Sequence, residues 1–248
     1  DFGSVGVDTS QIKVKTGART GSVLCLSDRR GKRSLYITPG ANNLLTTDDI
    51  DLDYINQANM LHISSFADEC QFKVTQQLVG RLDPSVKVSF SPGSLYAVKG
   101  MKSLSPILKQ TCVLFTNQSE IQELTGKHFD SGAKACLQEG CHIIVVTLGK
   151  GASYKTTLAT SYIRDTEHEY LIEPEDQSIN PGLDTTGAGD AFAAGFLYGL
   201  LTGKGIEKCG HIGSIVAEFC INKTGAREGL PSLAELSQRY REVYNQEL

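Results

Sequence analysis

Residues 112–148 read CVLFTNQSEIQELTGKHFDSGAKACLQEGCHIIVVTL. Two short apolar runs, Cys112–Thr116 and His142–Leu148 with its Ile-Ile-Val-Val core, enclose a stretch of helical periodicity. The runs are strand-length, and helices are expected between them over 119–125 and 131–139. Strand, helical crossover and strand make a βαβ unit, which requires a parallel sheet covered by helices on both faces.

The alternation continues outward in both directions. Upstream, Thr46 or Thr47 caps a helix expected to run to about Ala58, with Asp48, Asp49 and Asp51 in its first turns. Strand Met60–Ser64, helix 68–82, strand Val86–Ser91 and helix 103–110 follow. Downstream, residues 152–173 read as three short strands, Ser153–Lys155, Thr160–Ile163 and Tyr170–Ile172. Further helices are expected from Asp190, over 206–222 and from Pro231. Ligands of such sheets collect at the carboxyl ends of the strands.

Before residue 44 the period is two. Ile12 and Val14, then Ser22–Leu26, a turn at Asp28–Gly31 and Leu35–Ile37 predict an antiparallel hairpin. No crossover helix fits there, so this small sheet stands apart from the parallel one.

Composition narrows the function classes. Hydrophobic residues make up 40% and charged residues 21% of the 248, with a net charge of −4. No basic block points to nucleic acid, and no apolar run approaches the ~18 residues of a membrane span. Seven cysteines without Cys-x-x-Cys spacing read as reduced thiols of a cytoplasmic protein. Neither Gly-x-x-x-x-Gly-Lys-Ser/Thr nor Gly-x-Gly-x-x-Gly occurs, which argues against a Walker-type nucleotidase and an NAD-dependent oxidoreductase.

Chemistry concentrates in Asp184-Thr185-Thr186-Gly187-Ala188-Gly189-Asp190-Ala191-Phe192, followed by Phe196, Leu197 and Leu200 on a helical stripe. A nearly side-chain-free loop entering a helix presents backbone N–H groups and the positive end of the dipole, a seat for phosphate. A carboxylate at the first turn is held ionised, ready to accept a proton. Asn117 and Glu120 follow a strand end and read either as oxygen donors for magnesium or as a reciprocal helix cap.

The run from Asp184 to Phe192 resembles the second signature of the ribokinase (PfkB) family of carbohydrate and nucleoside kinases. The resemblance spans residues 4–231 and implies a ribokinase-like three-layer α/β sandwich with a mainly parallel central sheet and a small antiparallel β lid. By it, residues 11–43 are the lid, entered by 1–10, and 44–248 the nucleotide-binding and catalytic core. Asp190 becomes the base, with Gly187, Ala188 and Gly189 as the anion hole. Thr147, Gly149, Gly151, Thr186, Asn222 and Gly225 would line the ATP site, and Gly225 also reads as the C-cap of helix 206–222. Asn42, in Gly40-Ala41-Asn42, would contact the acceptor together with Asp190. Asn117 and Glu120 would hold Mg²⁺ through water, and Asp184 a monovalent cation such as K⁺. A sugar or nucleoside is the implied acceptor, and the lid a homodimer interface. Ser91 stands where many relatives carry Asp, and the family's Gly-Gly-x-x-x-Asn substrate loop is expected ahead of Asp1. A non-catalytic sugar- or nucleotide-binding protein of the same fold is the competing reading.

Overall fold

The computed structural model describes residues 2–27, 33–174 and 184–248. The turn expected at Asp28–Gly31 and the lead-in Pro181–Leu183 lie outside the described residues.

Strands β1 (Ser22–Ser27) and β2 (Arg33–Thr38) pair antiparallel, with Val23 opposite Ile37 and Cys25 opposite Leu35. Ile12 and Val14, expected in this hairpin, belong to no strand. Their segment is instead tied to the core: Lys15 Nζ lies 2.5 Å from Asp49 Oδ1, and Tyr54 donates to Asp8 at 2.8 Å.

The helix expected to Ala58 is broken in two. A 3-10 turn at Thr47–Asp49 is followed by α1 (Leu52–Ile55), with Ile50 extended between them. The cause is capping twice over: Thr46 and Asp49 close a capping box, then Asp51 accepts from Tyr54 N–H and starts a new helix.

The core alternates as expected through β3 (Met60–Ser64), α2 (Glu69–Val79), β4 (Lys87–Ser91), α3 (Gly93–Ala97), α4 (Gly100–Leu108) and β5 (Thr111–Asn117). It continues through α5 (Gln118–Thr125), α6 (Phe129–Glu139), β6 (Ile143–Tyr154), β7 (Thr157–Arg164) and β8 (Glu169–Ile172). The chain closes with α7 (Ala188–Leu201), α8 (Ile206–Ile221) and α9 (Leu233–Tyr244). Helix α3 had no counterpart in the sequence reading, and α4 begins at Gly100 rather than 103. Ser153 and Tyr154 do not form a separate strand but end the 12-residue β6, and Lys155 lies in the turn to β7.

The large sheet has the order β3-β4-β5-β6-β7-β8. Strands β3 to β6 run parallel, whereas β7 and β8 join antiparallel. Alternate residues divide the core between two faces. Phe90, Leu114, Ile144 and Val146 meet Phe72, Leu104, Ile107, Ile121 and Phe129 from α2, α4, α5 and α6. Val113, Phe115, Ile143 and Val145 meet Phe192, Phe196 and Cys209 from α7 and α8. Each such large side chain taken out of water contributes roughly 1.5–3 kcal/mol. Leu236 and Tyr240 of α9 pack on Ile212 and Val216 of α8. This is a three-layer α/β sandwich with a small antiparallel sheet beside it. No helix among the described residues is long and apolar enough to cross a membrane.

Candidate active site

Four segments expected to carry chemistry emerge at or beside the carboxyl ends of the strands. The loop before α7 is the most constrained. Gly187 caps the helix at φ 81°, a left-handed conformation open to glycine at little cost. A Cβ there would lie 2.8 Å from the Ala226 carbonyl oxygen and 2.9 Å from its Cα. Gly189 faces open space, with nothing within 4 Å of the place a Cβ would take. Asp190, on the first turn, is exposed beside it. One detail differs from the expectation: the Ala188 N–H turns back to Thr185 O at 3.3 Å. Neither Gly189 N–H nor Asp190 N–H reaches a backbone carbonyl among the described residues, so the outward-facing donors sit one residue further into the helix.

The loop rests on the corner that follows α8. Asp184 accepts from Thr186 N–H with one oxygen and from Gly225 N–H with the other, each at 3.0 Å. The fully buried Cys220 thiol lies 3.6 Å from both Thr186 O and Ala226 O. Burial pushes that thiol up, and the charges of Asp184, Asp190 and Glu228 push the same way. Gly225 is not the C-cap of α8. That place belongs to Asn222 in right-handed conformation, and Gly225 follows at φ 106°, where a Cβ would collide with the Glu228 carboxylate. Thr186 and Gly225 are thus brought together, while Asn222 is exposed at the helix end.

At the end of β5, Asn117 and Glu120 form the reciprocal cap. Asn117 N–H donates to Glu120 Oε2, and Glu120 N–H to Asn117 Oδ1, both at 2.9 Å. Burial raises the Glu120 pKa, and the charges of Glu123 and Asp190 add to it, outweighing the hydrogen bonds from Asn117. Asn117 pairs with Thr147 across the β5–β6 ladder. Just beyond, Gly149 at φ 62° and Gly151 at φ 106° make a bulge inside β6, shifting the register against β7 between Thr147 and Ala152. The strand expected to end at Leu148 therefore runs on through a kink to Tyr154, with Thr147, Gly149 and Gly151 along it.

Asn42 stands on the 3-10 turn Gly40–Leu44, just after the last strand of the two-stranded sheet. Its N–H donates to Pro39 O at 3.1 Å, and a Cβ at Gly21 would lie 2.8 Å from its Nδ2. One residue that feels the charge of Asp190, His62, has no counterpart among the sequence-derived site residues. His62 of β3 contacts the fully buried Ser89 of β4 through Nδ1 and Oγ at 2.9 Å, and its ring stands edge-on to Phe115. Burial lowers its pKa, opposed by the negative charge of Asp190. A histidine interrupting the run Met60–Ser64 was the available signal. Among the described residues no cluster of three or more His, Cys, Asp or Glu side chains could cage a metal ion.

Residues 1–233 match the pfkB family of carbohydrate kinases. The chain belongs to that family. Its members are phosphotransferases with an alcohol as acceptor. An uncharacterized sugar kinase of Archaeoglobus fulgidus is 36% identical over 93% of this chain and 88% of its own length. Among solved structures, the Burkholderia thailandensis nucleoside kinase in complex with inosine superposes with a TM-score of 0.78 at 18% identity, covering 100% of this chain and 76% of that one. Arabidopsis thaliana ribokinase complexed with ribose and ATP gives 0.70 at 22% identity, covering 90% of this chain and 69% of that one. These likenesses show that the pfkB-family chain shares the ribokinase fold.

Proposed function

We propose that this protein transfers the terminal phosphoryl group of ATP to a hydroxyl of a sugar or nucleoside, with Asp190 as base. The observation that carries the reading is an exposed carboxylate one residue past a bare glycine loop, on the first turn of the 14-residue α7. Asp190 takes the hydroxyl proton as the acceptor oxygen bonds to phosphorus, and ADP departs with the electrons of the broken P–O bond. The loop Gly187-Ala188-Gly189 holds the charge on the transferring group through the N–H groups at its end, those of Gly189 and Asp190, a task of positioning rather than covalent chemistry. The open space over Gly189 fits a phosphate brought against the backbone.

Thr147, Gly149, Gly151, Thr186, Asn222 and Gly225 border the nucleotide in this reading, and Asn42 contacts the acceptor. An amide and a carboxylate oxygen at Asn117 and Glu120 suit Mg²⁺, which retains much of its water, and both keep lone pairs beyond those used in the cap. When bound there it would neutralise phosphate charge. A monovalent cation at Asp184 would share oxygens that already accept from Thr186 and Gly225 N–H. Residues 11–43 act as lid and 44–248 as catalytic core. Val23, Leu24, Leu26, Leu35, Tyr36 and Ile37 are exposed on both faces of the two-stranded sheet. So much uncovered apolar surface supports a homodimer through the lid. Use of ATP and seven free thiols support a cytoplasmic location.

The test is turnover with ATP and Mg²⁺ on D-ribose, inosine and 2-dehydro-3-deoxygluconate, in the protein and in Asp190→Asn. Phosphorylation of one of these, lowered ~10²–10⁴-fold in the variant, is expected. Acceptor and ATP binding without turnover would favour a non-catalytic binding protein.

A further inference from the structure

The turn that carries Asn42 is gripped from beneath by one side chain of the core. Gln71, in the first turn of α2, is 1% exposed. Its Nε2 donates to Asn43 O at 2.8 Å and to Leu45 O at 3.0 Å. A primary amide has two hydrogens, so both go to carbonyls at the root of the lid. The opposite amide orientation would set Oε1 against those two carbonyl oxygens. Oε1 points elsewhere and has no hydrogen-bond partner among the described residues, nor has Asn43 Oδ1. A buried acceptor is left unmatched, which is uncommon, while both donors are satisfied.

The other side of the turn is held as well. Ala41 N–H donates to Arg19 O at 2.8 Å, and a Cβ at Gly40 would run into that same carbonyl. Asn42 therefore sits between the chain entering the lid and the first turn of α2. On leaving β2 the chain reaches the core through residues 39–45, and the Gln71 amide fastens the far end of that segment to α2. The side chain of Asn42 is thereby kept with the core rather than carried along by the lid.

We infer that Gln71 is a positioning residue for acceptor binding: it fixes turn 40–45 to α2 and so determines where Asn42 presents its amide. The inference rests on the reading of Asn42 as an acceptor contact. Gln71 touches neither the reacting atoms nor the phosphate loop, so its loss belongs to acceptor affinity. Removing an interaction made equally in ground and transition states raises KM and leaves kcat alone.

The experiment compares Gln71→Met, Asn42→Ala and Val79→Ala in the full protein. Methionine keeps the length and removes both donors. Val79, on the same helix and 3% exposed, is a core lesion that leaves the turn's bonds intact. Hydrogen exchange at residues 40–45 and initial rates with D-ribose, inosine and 2-dehydro-3-deoxygluconate are read for each. Gln71→Met is expected to speed exchange at 40–45 while β4 to β6 stay protected. It should also raise the acceptor KM roughly 10-fold, one hydrogen bond's worth of orientation, with the KM for ATP and kcat within about twofold. Val79→Ala should lower thermal stability without moving the acceptor KM. Unchanged exchange at 40–45 in Gln71→Met overturns the proposal outright, even if no acceptor in the panel turns over. A raised KM in Asn42→Ala with an unmoved KM in Gln71→Met overturns it too. If Asn42→Ala leaves KM unmoved, the reading of Asn42 fails and the role of Gln71 in acceptor binding falls with it.

Discussion

Asp184 and Gly225 are 41 residues apart in the chain, yet the Asp184 carboxylate accepts the Gly225 N–H at 3.0 Å while its other oxygen accepts from Thr186 N–H. One side chain thus joins the glycine loop before α7 to the corner behind it, and the two are set to move together. An asparagine has one acceptor atom where the carboxylate has two, so Asp184→Asn would turn N–H against N–H at one end. We expect a loss of ~2 kcal/mol, typical of a hydrogen bond to a charged group. That corresponds to ~4–8 °C in thermal midpoint for a chain of this size. The same variant should raise the KM for ATP as the loop lifts from the corner. Calorimetric melting together with initial rates checks both, and an unchanged midpoint would refute the coupling.

Two glycines two residues apart should respond in opposite ways. Gly187→Ala places a side chain at φ 81° and against Ala226, so the folded state itself should suffer, by about 1–3 kcal/mol. Gly189→Ala meets nothing within 4 Å and should melt normally, but its methyl enters the open space that the proposed mechanism gives to phosphate. Weaker ATP binding with an unshifted melt is expected for Gly189→Ala, and a lowered melt for Gly187→Ala. Titration calorimetry with ATP, run beside the melts, reads both.

Glu120 caps α5 and, in the proposed mechanism, also serves the metal; two substitutions separate those tasks. Glutamine retains an oxygen able to accept from Asn117 N–H, so Glu120→Gln should stay close to wild-type stability. Alanine removes the cap and should cost about 1 kcal/mol. Both should require more Mg²⁺ for half-maximal rate, because both lack the charge. If Glu120→Gln shows the wild-type Mg²⁺ dependence, the residue is a cap and nothing more.

Thiol reactivity should follow burial and pH. Burial pushes Cys209 up to about 11 and Cys136 up to about 12, and raises Cys141 and Cys220 as well. A thiol raised in this way stabilises the fold fully below its ordinary value near 9, and that contribution is lost as pH rises toward 11–12. At pH 8 these four should resist a disulfide reagent until the protein unfolds, with Cys112 intermediate. Cys25 and Cys70 are exposed and should react at once. Protection of Cys25 alone at high protein concentration would report a second copy over the β1–β2 sheet.

What could be read from the chain was local. Asp184 to Phe196 announces a loop, a cap and a helix within a few residues, and the βαβ alternation from Met60 to Leu148 repeats a pattern whose period is visible in any short window. Where several local signals competed, the reading went astray. Thr46, Asp49 and Asp51 each cap, and the chain used them twice, splitting one expected helix. The strand expected to stop at Leu148 continues through a bulge at Gly149 and Gly151, because β7 returns antiparallel and keeps β6 paired beyond it. Nothing near Gln71 in the sequence betrays the carbonyls of Asn43 and Leu45 it grips.

The sequence by itself determined the class of the fold, the family and the glycine loop with its acid, because each depends on neighbours along the chain or on short-range periodicity. Only the tertiary structure decided that Asp184 clamps Gly225, that Cys220 seals the same junction, and that Gln71 holds the turn of Asn42 to the core. Those contacts join segments 26 to 41 residues apart. Their existence depends on packing helices against both faces of one sheet, which no window of sequence contains.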